Sequence, residues 1–144
     1  MKNYIIATII LFSFSVFTFA DATKTTLMAG QLEADFSSWG NPALSGDWEI
    51  VVEEGKTYLD LGRNFQAKKG PDVKIFLSRA TTDSITGKNA ANEAVFVTLL
   101  EKFTGPERIE FPNNIDITKF KSLIFYCEEF SKLWGTSSLP IANK

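Results

Sequence analysis

One thiol and no imidazole set the chemistry open to this chain of 144 residues. Cys127 closes the apolar run Ser122-Leu123-Ile124-Phe125-Tyr126-Cys127, and the sequence contains no histidine. A thiolate attacks disulfides, is oxidised to sulfenic acid and ligates soft metals. With a single cysteine there is no internal disulfide and no resolving thiol, so oxidation would stop at sulfenic acid or cross to a second molecule. Haem or copper at Cys127 would find only Met28, tyrosines or backbone as further ligands, and the missing histidine disfavours both. Thiolates gather beside cations or helix N-termini, whereas Glu128 and Glu129 follow directly here. Two readings of Cys127 therefore stand side by side. One is a redox or thiol-exchange centre; the other is a small hydrophobe filling a sheet interior, the usual condition of a free cysteine.

Other positions offer less. Gly70-Pro71-Asp72 is a turn device, since glycine admits positive φ, proline fixes its own φ and aspartate bonds backbone amides two residues on. Asp72, Asp83 and Asp116 form no acidic ladder at calcium-loop spacing, and no metal site is expected. Trp39, in a loop of Gly, Asn and Pro, either presents a flat ring to a partner or plugs one end of the core. There is no glycine-rich phosphate loop and no Ser-His-Asp set, so no catalytic residue is assigned and a stand-alone enzyme is not expected.

The elements that must position these residues begin after an export signal. Lys2, the apolar stretch from Tyr4 to Phe19 and the small-x-small exit Ala20-Asp21-Ala22 supply its three parts. As a helix, the apolar segment ending at Ala20 reaches ~24 Å, short of the roughly 30 Å core of a bilayer. Cleavage after Ala20, with Ala22 as the alternative point, is favoured over an uncleaved anchor. The mature chain is expected in the periplasm or the medium, without a membrane span. Losing Lys2 takes the net charge from −2 to about −3, which argues against nucleic acid or an anionic membrane surface as partner.

Residues 21–29 read as a polar lead, 30–140 as one domain and 141–144 as a tail. Short alternating segments broken by Gly, Pro, Asn and Asp recur through the domain, the mark of many strands. Trp48, Ile50 and Val52 alternate with Glu49, Val51 and Glu53, and Glu54-Gly55-Lys56 turns the chain into Tyr58 to Leu61 as a hairpin. In the stretch from Ala94 to Phe103, β-branched and aromatic residues favour a strand over the helix that Asn92-Glu93-Ala94 also permits. Leu123 to Cys127 is apolar on both faces and belongs inside a sheet. Ala80 to Glu93, polar and aperiodic, reads as a mobile or ligand-facing loop. The expected fold is all-β, an antiparallel β-sandwich in one compact domain. Its core is expected to hold Trp48, Ile50, Leu59, Leu61, Ile75, Leu77, Ile109, Leu123 and Phe125.

The order of landmarks resembles the DM-thirteen domain family. It runs from Gly46 before the first hairpin, through Phe65 and Gly70-Pro71-Asp72-Val73 leading to Phe76-Leu77-Ser78, to Gly105 seven residues ahead of Pro112 and to Ile115-Asp116. The most specific part is Leu123-Ile124-Phe125-Tyr126-Cys127, then Phe130, Trp134-Gly135 and Leu139. The resemblance implies an all-β extracellular module of electron-transfer systems, with the cysteine matching Cys127 acting as a bare thiol or holding a prosthetic group. Three departures stand out. Glu128 replaces a common basic residue, Pro42-Ala43-Leu44 lacks a histidine often seen before the Gly46 position, and the polar loop ahead of Ala94 is long. The implied function is an exported redox-associated module meeting a redox partner protein in the exported compartment. The alternative is a noncatalytic binding or surface-assembly module in which the cysteine is packing. The oligomeric state is left open.

Overall fold

A computed structural model describes residues 23–36 and 41–140; the export signal, Trp39 and the 141–144 tail lie outside the described residues. In chain order the strands are β1 (Thr25–Gln31), β2 (Glu33–Ala34), β3 (Leu44–Ser45), β4 (Asp47–Glu53), β5 (Lys56–Leu61) and β6 (Gln66–Ala67). They continue as β7 (Val73–Ser78), β8 (Val95–Leu99), β9 (Glu107–Glu110), β10 (Ser122–Cys127) and β11 (Lys132–Ser138). One sheet has the order β1-β4-β5-β9, the other β2-β11-β10-β7-β8, and β3 and β6 form a small ribbon. All pairings are antiparallel. The all-β sandwich expected from the alternation is the observed fold.

The β4–β5 hairpin closes where Glu53 pairs with Lys56. Glu54 and Gly55 between them have φ of 51° and 77°, the two positive values of a type I′ turn, whose twist matches that of the strands. All nine core residues expected from the sequence are buried and lie in one cluster between the sheets. Trp48 also ties the sheets by polar contact: its indole Nε1 donates to Ser137 Oγ at 2.8 Å, and that hydroxyl donates to the Gln31 carbonyl at 2.7 Å. A buried indole N–H left without such a partner would cost about 1–3 kcal/mol.

Three local expectations need revision. β1 starts at Thr25, inside the 21–29 stretch read as a polar lead. It is an edge strand with Met28 alone fully buried, so its composition carries little apolar signal. In β4 the alternation is imperfect: Val51 is buried beside Ile50 while Val52 is only half-buried. Val51 stands opposite Tyr58 on the outer face.

The Ala80–Glu93 segment is neither loose nor open. It has no strand, but Ile85 and Ala90 are buried against Phe76, Ile124, Tyr126 and Leu133 on the outer face of the second sheet. Asn89 organises the turn. Its Oδ1 accepts from the Thr86 amide at 2.7 Å, and its Nδ2 donates to the Ser84 carbonyl at 2.9 Å. The Tyr126 hydroxyl donates to the Gly87 carbonyl at 3.1 Å from below. The segment is a roof, and burying an isoleucine such as Ile85 contributes roughly 1.5–3 kcal/mol to holding it down.

Candidate functional site

β10 is the central strand of its sheet, flanked by β11 and β7, and all six of its residues are buried. That is the position its two apolar faces demand. Cys127 is its last residue, opposite Val73, the first of β7, and Lys132, the first of β11. The thiol therefore lies at one end of the sheet, on the inner face with Leu123 and Phe125, and its residue is 0% exposed. The Phe125 ring packs on Phe65 at a centroid distance of 6.1 Å.

The Gly70-Pro71-Asp72 turn feeds β7 and is built against Trp134, which is also 0% exposed. A Cβ on Gly70 would stand 2.8 Å from Trp134 Cζ2 and 2.9 Å from Val73 Cγ2, so only glycine lets the turn lie on the ring. Trp134 Nε1 donates to the Lys68 carbonyl at 2.7 Å, fixing the indole from the same segment. The turn is thus structural in a specific sense: it packs over the indole and sets where β7, and with it Val73, begins. Gly135 does a related task for β2, since a Cβ there would come 2.2 Å from the Glu33 carbonyl oxygen.

Charged residues gather at this end of the sheet. Lys74 pairs with Asp72 at 3.3 Å and with Glu128. The Glu128 hydrogen bond, above the other contributions, raises the ammonium above the ordinary lysine value. Lys74 stands opposite Tyr126, and side chains alternate along a strand, so this cation occupies the outer face while Cys127 and Val73 occupy the inner one. Glu128 is thereby neutralised by a neighbour on β7. The sequence does not show this pairing, because the two residues are 54 apart and meet only through strand register.

A prosthetic group does not fit here. No group of three or more Cys, Asp or Glu side chains that could hold a metal exists among the described residues. Five surface grooves of about 260–550 Å³ are lined by other residues and not by Cys127. A haem needs a cavity of several hundred Å³ around its ligand. What the arrangement can do is keep one thiol dry, apolar and out of reach.

The chain is thus a small all-β sandwich with its one cysteine at the end of a central strand. The family model described as electron transfer DM13 matches residues 35–139, and the chain belongs to that family. The match takes in the turn at Gly70, the whole of β10 and Cys127, and Trp134. No curated protein and no solved structure matches the chain. Among the described residues, no helix is long and apolar enough to cross a membrane.

Proposed function

We propose that this chain is an exported module of electron-transfer assemblies, in which Cys127 is the one thiol-bearing centre and is closed off in the resting fold. The observation that carries the reading is the place of Cys127: fully buried, yet the terminal residue of β10, flanked by the first residues of β7 and β11. Strand ends open locally at lower free energy than strand centres. A partner that frays this rim would expose the thiol without unfolding the domain. The signal-like residues 1–22 support export to the periplasm or the medium, where such a partner would be another redox protein.

A second reading has its own support. Full burial within the main core fits a noncatalytic binding module in which Cys127 is packing.

Exchange with oxidised glutathione in native buffer separates the two. The Cys127 thiolate attacks one sulfur of the glutathione disulfide, that S–S bond breaks, and one glutathione thiolate leaves as a mixed disulfide forms on the protein. The redox reading predicts an adduct, absent from Cys127→Ala, that forms faster than the domain unfolds. An adduct that forms only at the rate of global unfolding would retire it in favour of packing. A visible absorption band in the purified protein would contradict both readings.

A further inference from the structure

The four sheet edges of this sandwich are not treated alike. Exposed edges invite pairing with other chains, and folded proteins blunt them with charge, proline, bulges or short length. β9 reads Glu107-Arg108-Ile109-Glu110 between Pro106 and Pro112. β2 is two residues long, and β1 slips register between Thr26 and Met28. β8 also slips register, where Ile75 faces Thr98 and Phe76 faces Phe96, but Val95-Phe96-Val97-Thr98-Leu99 carries no charge and no proline. Among the described residues it pairs only with β7, leaving its other edge unpaired. Val95, Phe96 and Leu99 are 36%, 51% and 44% exposed. Phe96 meets Phe76 edge-on at 5.9 Å, so the apolar outer face runs on past the roof to the open edge.

A groove of about 430 Å³ lies at the N-terminal end of β8, with Val95, Phe96 and Phe120 as apolar walls and Arg79, Lys119 and Asp116 as its charged residues. Asp116 is already engaged: its Oδ1 accepts from the Thr118 amide at 3.2 Å and hydroxyl at 2.6 Å, and its Oδ2 faces Lys119 at 3.5 Å. Arg79 stacks over the Phe120 ring at 5.8 Å and has no ion-pair partner among the described residues. The groove therefore keeps one cation for an incoming anion. A strand added antiparallel to β8 would bring its own C-terminal end to this point.

The geometry points to β8 as the docking edge for an extended segment of a partner protein, apolar at alternate positions and bearing a carboxylate at its C-terminal side that Arg79 receives. The docking requires no chemistry at Cys127 and stands whichever reading of that thiol holds. The probe is a fluorescent synthetic peptide of about eight residues alternating valine and threonine, ending in glutamate with a free carboxylate; its control ends in lysine amide. Anisotropy titration of the purified protein is expected to show saturable binding of the acidic peptide, at least about tenfold weaker for the control and for the Arg79→Glu and Phe96→Lys proteins. Both substituted side chains are at the surface, and unchanged circular dichroism confirms the fold. Equal binding of the two peptides, binding retained in both variants, or no saturation up to millimolar peptide would overturn the assignment. So would sedimentation showing a wild-type dimer that Phe96→Lys disperses, which would give the edge to a second copy of the chain.

Discussion

The two outer faces of the sandwich solve the same problem by opposite means. On the first sheet, solvent is met by a network of charge. Arg108 grips Asp60 through two hydrogen bonds of 2.7 Å, also reaches Glu53 and lies 4.9 Å over the Tyr58 ring, while Lys24 adds a contact to Asp60 at 3.4 Å. On the second sheet the outer face is apolar, with Phe76, Ile124, Tyr126 and Leu133 covered by the 80–93 segment. A half-exposed sheet needs only alternation, whereas a sheet apolar on both sides needs a third layer. Here a long polar loop supplies that layer with two buried side chains and a set of side-chain hydrogen bonds.

The roofed face should be the sensitive one. Ile124→Ala removes a fully buried side chain from beneath the roof and is expected to cost about 3–4 kcal/mol, read by urea denaturation with an unchanged slope. Ile85→Ala acts from the loop side, where the backbone has room to settle, and should cost about 2 kcal/mol. Its distinguishing sign is faster amide exchange confined to residues 85–91. Equal small losses at both positions would mean that the roof is not a packed layer.

The charged face should respond to solution conditions instead. Arg108→Ala is expected to lower Tm less than either isoleucine change, with the difference shrinking as salt is added. The Arg108 hydrogen bonds hold the Asp60 carboxyl below the usual aspartate value. Its stabilisation is therefore present above the unfolded aspartate value and is lost as pH falls through the depressed one. Acid should thus weaken this face more in wild type than in the Arg108→Ala protein, where Lys24 still pairs with Asp60. The smallest effect is expected at Glu107, whose Oε2 is buried without a hydrogen-bond partner and whose carboxyl is raised by desolvation. A raised carboxyl loses stability as pH climbs from the unfolded value through the folded one, so Glu107→Gln should raise Tm slightly at pH 7 and leave it unchanged at pH 4.

Much of this fold was legible in the sequence because strand alternation is a local property. Trp48 and Ile50, Leu59 and Leu61, and Ile75 and Leu77 announced their faces, and the two apolar sides of β10 announced an interior strand. What stayed hidden depends on register or on tertiary cover. Asp60 and Arg108 are 48 residues apart and meet only once β5 and β9 pair. The roof carries no periodicity, since Ile85 and Ala90 are held by a turn and not by a repeating element. β1 hid behind threonines because an edge strand needs few apolar residues. For Cys127, the interior strand was legible but its full burial at the strand's end was not, and neither was the packing of Gly70 on Trp134, a contact between β11 and a turn 64 residues earlier in the chain.

Cys127 is fully buried at the end of β10, and the proposed function has it reached by opening of that rim. The direct measurement is the rate of alkylation of this single thiol by a small reagent across a urea series, beside the global unfolding rate under the same conditions. The account predicts labelling in native buffer that is orders of magnitude slower than for an unfolded-chain thiol, yet faster than global unfolding and nearly independent of urea at low concentration, the pattern of local fraying. Labelling in native buffer as fast as that of the unfolded chain would contradict it.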